Sequence, residues 1–325
     1  MAGQRAQDAT NEKIRLGISA CLRGQKVRYD GDHRRDPFLV ETFGRFVEWV
    51  PVCPEVECGL GVPREPITLN GDPSAPRLTT ASTHVDLTDR FFMWAQRRAD
   101  ALEKANLCGF VFKSNSPSCG VHHVPVYDGH GAARRTGIGL FARLFIQRFP
   151  LVPCEDDERL EDPDVRESFI TRIFCLRRYR QAVGRNDTLA ALTEFHPEHK
   201  AVLMAHSAPL CRQMGQLVAD AHSKASEEVL SQYQTLLLNA LSRQATVRKH
   251  VDVLYHLAGH LKQRLSAKEK AELTELIEGY SRGLVPLVVP VTLLRHLARM
   301  TGEPHLNRQF YLNPHPTEWK LRTHA

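Results

Sequence analysis

The hydrophobic pattern of this 325-residue chain changes period near residue 184, and that change limits the possible folds more than any other feature. Before it, short apolar runs alternate with helical segments. Residues 14–18 read as a buried strand, and Asp36 followed by Pro37 reads as an N-cap with proline at the first helical position. Residues 49–52 and 110–112 read as two further strands, and 151–152 as a fourth. Residues 86–105 carry Leu87, Phe91, Trp94 and Leu102 at helical spacing, and 138–149 are helical again. Strand and helix in alternation predict an α/β layer fold with a mainly parallel sheet. Beyond Asp187 the spacing is helical throughout, for example at Leu192, Phe195, Val253, Leu254 and Leu257, with a capping box at Ser266 and Glu269. That half predicts an all-α helical bundle of roughly five to seven helices. The expected division is an α/β domain over residues 1–184 and a helical domain over 185–325, joined near 184–187.

Composition is that of an ordinary globular protein, with 42% hydrophobic and 25% charged residues, so disorder is not expected. A net charge of +6 suits a phosphate-bearing ligand or RNA, although basic enzymes are common. Residues 1–13 lack the apolar stretch of a signal peptide. The longest apolar run, near 283–294, is interrupted by Pro286 and Pro290 and is too short to span a bilayer. The expectation is a cytoplasmic protein with no membrane partner. In a reducing compartment eight cysteines point to metal binding or catalysis rather than to disulfides, or else to small buried side chains.

Three of the eight share a context. Cys21 follows the first strand, Cys53 ends the second, and Cys119 follows the third in Ser116-Pro117-Ser118-Cys119-Gly120. The carboxyl ends of parallel strands form one edge, so thiols far apart in sequence converge there. No C-x-x-C pair supports a zinc site, and spacing alone leaves a metal centre and ordinary buried cysteines equally open. His196, His199 and His206, and the pair His256 and His260, also have spacings that could seat a metal on a helix, with hydrogen-bonded polar residues the commoner outcome.

Ser19-Ala20-Cys21-Leu22, Arg28-Tyr29-Asp30-Gly31, Val52-Cys53-Pro54-Glu55, Gly59-Leu60 with Pro63-Arg64, and the Cys119 motif together resemble the DUF523 family, which includes thiouracil desulfidases. The second half resembles the DUF1722 family through Phe195-His196, His199-Lys200, Ala205-His206-Ser207, His250-Val251, the residues from Gly283 to Leu287 and those from Tyr311 to Pro316. The first resemblance implies a [4Fe–4S] cluster held by Cys21, Cys53 and Cys119 with one iron open. It also implies a substrate among thiolated pyrimidines: 2-thiouracil, 4-thiouracil or 4-thiouridine monophosphate. Relatives often carry a cysteine where this chain has Val27, so that position is not an essential ligand. Cys58, a glycine in some relatives, is a spare candidate that competes with Cys53.

A soft thiocarbonyl sulfur suits an open iron, and a base must then deprotonate the attacking water. Glu55, two residues after Cys53, is the first candidate for that base, with Asp30 as the alternative. Ser116 is a candidate for orienting substrate or water. Arg28, Arg64 and Lys113 are candidate substrate contacts, each also readable as a solvated charge. Glu55 itself is readable as a salt bridge to Arg64. The expected enzyme is a non-redox, hydrolytic desulfidase. The competing reading is a non-catalytic, metal-stabilised module that binds nucleic acid or protein. RNA binding and a homodimer stand as further possibilities of partnership.

Overall fold

The computed structural model describes residues 13–128, 132–183, 188–221, 226–315, 318 and 321; the expected linker at 184–187 lies outside them. The chain divides into two units, with the boundary between Ile173 and Phe174.

In the first unit β1 (Ile14–Ser19) is nearly all buried, as a strand covered on both faces must be. It pairs in parallel with β2 (Val47–Val52) on one side and β5 (Phe110–Phe112) on the other. β5 pairs in parallel with β8 (Cys154–Asp156), giving the order β2-β1-β5-β8. The fourth strand therefore lies at Cys154–Asp156, not at 151–152. Its sequence is too polar to read as a core strand, yet Glu155 and Asp156 are both buried.

One face of the sheet packs on aromatic side chains. Phe110 and Phe112 stack at 4.0 Å and meet Phe141 and Phe145 of α3 (Leu140–Arg148). Trp94 of α2 (Thr88–Ala105) lies 5.2 Å from Phe141. A Cβ on Gly17 would stand 2.1 Å from the Phe110 ring, so β1 approaches that ring only as glycine. On the other face Phe169 and Ile173 of α4 (Pro163–Val183) reach Leu16 and Gly109. Asp36 accepts from the Leu39 amide at 2.9 Å and starts a π-helical turn, Phe38–Thr42, rather than a long helix.

A second sheet escapes the apolar pattern. It has the order β4-β3-β6-β7, from β3 (Ile67–Asn70), β4 (Arg77–Thr80), β6 (Val124–Tyr127) and β7 (Ala133–Gly137). Its strands are short, and most of β7 is exposed.

The second unit is helical. It contains the end of α4, α5 (Thr188–Ala219), α6 (Ser226–Leu241), α7 (Val247–Gly259), α8 (Ala267–Ser281), α9 (Val288–Met300) and α10 (Pro304–Asn307). α5 leaves helical geometry at Ser207, two residues before Pro209, which cannot continue the hydrogen-bond ladder. The capping box of Ser266 and Glu269 opens α8. Val202, Leu254, Leu257, Leu273, Ile277 and Leu294 belong to one buried cluster. No helix among the described residues is long and apolar enough to cross a membrane.

Burial of histidines gives this unit a pH dependence. His196 is pushed down to about 4, first by burial and then by Lys200. His199 is lowered well below the ordinary value by burial and by Arg178. An unfolded chain takes up these protons near pH 6.5, so between about pH 6.5 and 4 it binds more protons than the fold. Stability is full above that window and falls as the pH drops through it. His196 alone accounts for roughly 3 kcal/mol at the acid end. Thermal melts followed by near-UV circular dichroism should show the helical unit losing stability from pH 7 to 4.5, with the slope reduced in His196→Gln. A melting temperature constant across that range, or the same slope in the variant, would contradict the assignment.

Candidate functional site

The carboxyl ends of β2, β1 and β5 open onto one cavity of about 420 Å³. Neighbouring connections leave β1 toward β2 on one side and face β5 on the other, the kind of crevice where open α/β sheets bind ligands. Cys21, Cys53 and Cys119 all line it, together with Arg28, Glu55, Arg64, Lys113 and Ser116. Asp30 is not among the lining residues. It is exposed and held in a two-pronged pair with Arg28, which lowers its carboxyl to about 2. Cys58 does not line the cavity either; its thiol donates to the Glu55 carbonyl at 3.2 Å.

Each thiol is placed by local chain geometry. Cys21 lies in the 3₁₀ turn Ala20–Arg23, directly after β1, and its carbonyl accepts from the Arg34 amide at 3.0 Å. Cys53 is the N-cap of α1 (Pro54–Glu57), with Pro54 in the first turn, where its missing N–H costs nothing. Glu57 reaches back to accept from the Cys53 amide at 3.0 Å. Cys119 sits in a loop clamped from two sides. Asp156, at the end of β8, accepts from the amides of Val121 and His122 at 2.9 Å each. Asp157 accepts from the Ser114 amide at 2.7 Å and from Lys113 Nζ at 2.8 Å. On the other side the first turn of α3 donates into the loop, with Leu140 N on Pro117 O and Phe141 N on Ser118 O, both at 3.0 Å.

Burial pushes the Cys21 thiol up to about 12 and the neighbouring Cys53 adds to the rise. Burial likewise raises Cys53 to about 11. Cys119 is raised well above the ordinary value by burial and by both other cysteines, against a hydrogen bond from Ser19. Three such groups cannot all ionise without a cation between them. Among the described residues no three His, Cys, Asp or Glu side chains are placed to hold one metal ion. Three thiol donors lining a cavity of this volume are a donor set that fits an iron–sulfur cluster. The remaining lining residues contribute neither thiol nor imidazole.

Glu55 is held at both oxygens. Arg64 Nε donates to Oε2 at 2.9 Å and Ser118 Oγ donates to Oε1 at 2.7 Å. Arg64 also donates to the carbonyls of Val27 and Gly61, so its fork serves the cavity wall. Lys113 is similarly committed to Asp157 and Glu158. Arg34, which sequence reasoning did not single out, lines the cavity and has no acidic partner among the described residues. Ser118, Ser19 and Asp156 were not singled out either: the two serines stand only within the cysteine motifs, and the polar β8 does not read as a strand.

Among the described residues, the histidines of the helical unit form no group of three placed to hold a metal ion. His199 accepts from Arg178 Nε at 2.8 Å, which leaves Nδ1–H to donate to Phe195 O at 2.8 Å. His196 bonds Tyr233 at 3.2 Å and His206 bonds the Arg243 carbonyl at 2.7 Å. His256 and His260 are exposed, with ring centres 5.3 Å apart.

Residues 16–157 match the family described as 2-thiouracil desulfurase, and residues 200–316 match the protein family of unknown function DUF1722. The chain is 31% identical over 157 residues to the uncharacterised protein YbgA of Escherichia coli (strain K12), covering 48% of this chain and 93% of YbgA. It is 30% identical over 140 residues to the uncharacterised protein YbbK of Bacillus subtilis (strain 168), covering 40% of this chain and 88% of YbbK. Among solved structures, the [4Fe-4S]-dependent thiouracil desulfidase TudS aligns at 27% identity with a TM-score of 0.39, over 46% of this chain and 94% of that one.

The clamp on the Cys119 loop is testable through Gly139. A Cβ there would stand 2.6 Å from Ser118 C and 2.7 Å from Cys119 N, both backbone atoms. Gly139→Ala should force the loop away from α3, cost about 1–3 kcal/mol, and speed the reaction of Cys119 with a thiol reagent. Gly259→Ala, where a Cβ meets nothing within 4 Å, is the control. Equal thiol reactivity in Gly139→Ala and wild type would show that the helix start does not hold the loop.

Proposed function

The chain belongs to the 2-thiouracil desulfurase family through residues 16–157 and to the DUF1722 family through residues 200–316, and from that premise we propose that it is a [4Fe–4S]-dependent, non-redox desulfidase acting on thiolated pyrimidines. The observation that carries the reading is the convergence of Cys21, Cys53 and Cys119 with Glu55 on one cavity at the carboxyl edge of the parallel sheet. These three cysteines would hold the cluster. When bound, the cluster supplies a Lewis-acidic iron suited to a soft thiocarbonyl sulfur. The absence of any further thiol or imidazole among the lining residues favours an open site over a closed structural one.

The chain's own residues supply the proton chemistry. Glu55 is the base: it lines the cavity, and Arg64 fixes its Oε2 so that the carboxylate keeps one orientation. Water that loses a proton to this carboxylate attacks the carbon bearing sulfur, and the oxo pyrimidine and sulfide are the products. Ser116 offers a hydroxyl on the same wall to orient water or substrate. Arg28 and Arg34 stand where they would contact the pyrimidine carbonyl or an attached phosphate. Asp30, drawn away to Arg28, takes no part in proton transfer.

The test is sulfide release from 2-thiouracil, 4-thiouracil and 4-thiouridine monophosphate by anaerobically prepared full-length protein. Glu55→Gln should retain iron and labile sulfide and lose turnover by about 10²–10⁴-fold, because glutamine cannot accept the proton. Addition of a thiopyrimidine should still perturb the visible absorption of this variant. A variant that turns over normally would remove Glu55 from the base role, and one that fails to take up iron would make it structural.

A further inference from the structure

Ser118 lies outside the cavity, fully buried, yet it contacts three residues that line it. Its Oγ is 2.7 Å from Glu55 Oε1, 3.0 Å from Ser116 Oγ and 3.7 Å from Cys119 Sγ. A hydroxyl has one proton, so the three contacts cannot all be donations. The short contact is to a carboxylate, which only accepts when ionised, and a charge-assisted bond at that distance outcompetes a long one to sulfur. The Ser118 proton therefore belongs to Glu55. Ser118 Oγ must then accept from Ser116, which commits the Ser116 proton to Ser118. Ser116 Oγ itself accepts from the Cys119 amide at 3.1 Å.

We propose that Ser118 is a positioning residue that sets the direction of a hydrogen-bond relay, Ser116 to Ser118 to Glu55, so that Ser116 presents a lone pair rather than a proton to the cavity. The use of this relay rests on the desulfidase reading. A water against Ser116 gives its proton to Ser116 Oγ as its oxygen bonds to the thiocarbonyl carbon. The original Ser116 proton passes to Ser118, and the original Ser118 proton passes to Glu55 Oε1. One proton leaves water and one arrives on Glu55, while both serines end as hydroxyls. The carbon–sulfur bond then breaks with its electron pair on sulfur while the remaining water proton passes from the new hydroxyl to that sulfur, so the carbonyl forms, hydrosulfide leaves, and Glu55 afterwards returns its proton to solvent. Ser116 is thereby made an acceptor by a residue that never touches substrate, and the base can act at a water it does not contact itself.

Two measurements decide this. Neutron diffraction from crystals of the full chain in D₂O should show the Ser118 deuteron directed at Glu55 Oε1 and the Ser116 deuteron directed at Ser118. A Ser116 deuteron facing the cavity, or a Ser118 deuteron on Cys119 Sγ, overturns the relay. In kinetics, Ser118→Ala should keep its iron and its KM but lose kcat by about 10²–10⁴-fold, the contribution of the base that the relay connects to water. The dependence of kcat on the deuterium fraction of the solvent should be curved in wild type, where several protons move, and linear in Ser118→Ala. A loss confined to KM, or unchanged curvature, overturns the proposal. Wild-type protein that releases no sulfide from any thiopyrimidine instead refutes the underlying reading and removes the relay's catalytic use, whatever the deuteron positions.

Discussion

Burial of three thiols at one edge of a parallel sheet sets an electrostatic demand that shapes the rest of the α/β unit. Cys21, Cys53 and Cys119 each rise first because burial leaves a thiolate unsolvated; Cys53 adds to the rise of Cys21, and both add to that of Cys119. A protein gains nothing in stability from such an arrangement when a core could hold apolar side chains instead. The demand is met when a cationic group occupies the space between the sulfurs. The electrostatics of the cavity and its proposed cofactor are thus two sides of one constraint.

Holding the thiols against that cost is the task of the elements behind them. Three loops leave three parallel strands, and each carries hydrogen bonds that tie it back. The Cys119 loop is the most constrained. Consecutive carboxylates of β8 and the following turn accept its amides, and the first turn of α3 donates to its carbonyls. The carboxylates satisfy amides of Ser114, Val121 and His122, and the helix start satisfies carbonyls of Pro117 and Ser118, so backbone groups on both sides of the loop are paired within the protein. Glu55 is placed in the same way: Arg64, which orients it, also donates to the carbonyl of Val27 on the cavity wall and to that of Gly61.

Much of this was legible in the sequence, for reasons that differ by element. β1 and β5 read correctly because strands covered on both faces are continuous apolar runs. The helical unit read correctly because its apolar residues recur at helical spacing and Ser266 with Glu269 spells a capping box. The fourth strand was displaced because Cys154-Glu155-Asp156 has the composition of a loop, and its carboxylates are buried for what they hold rather than for their own transfer energy. The second sheet was not seen because its strands are short and Arg134 and Arg135 of β7 stay exposed. In the site, the convergence of the cysteines followed from strand order. The partners of Glu55 are only half legible in the sequence: a pair with Arg64 is one expected reading, whereas nothing in the sequence ties Ser118, 63 residues away, to Glu55. The pairing of Asp30 with Arg28, two residues apart, is visible only in coordinates.

The central claim is that Cys21, Cys53 and Cys119 together hold one cluster with an open iron. Mössbauer spectroscopy of full-length protein prepared anaerobically with ⁵⁷Fe tests it most directly. The account predicts a cluster signal in which one iron is distinct from the other three and shifts when 2-thiouracil is added, and it predicts loss of the signal when any one of the three cysteines is changed to serine. Stoichiometric zinc without labile sulfide, or a cluster that survives the loss of one of these cysteines, would contradict it.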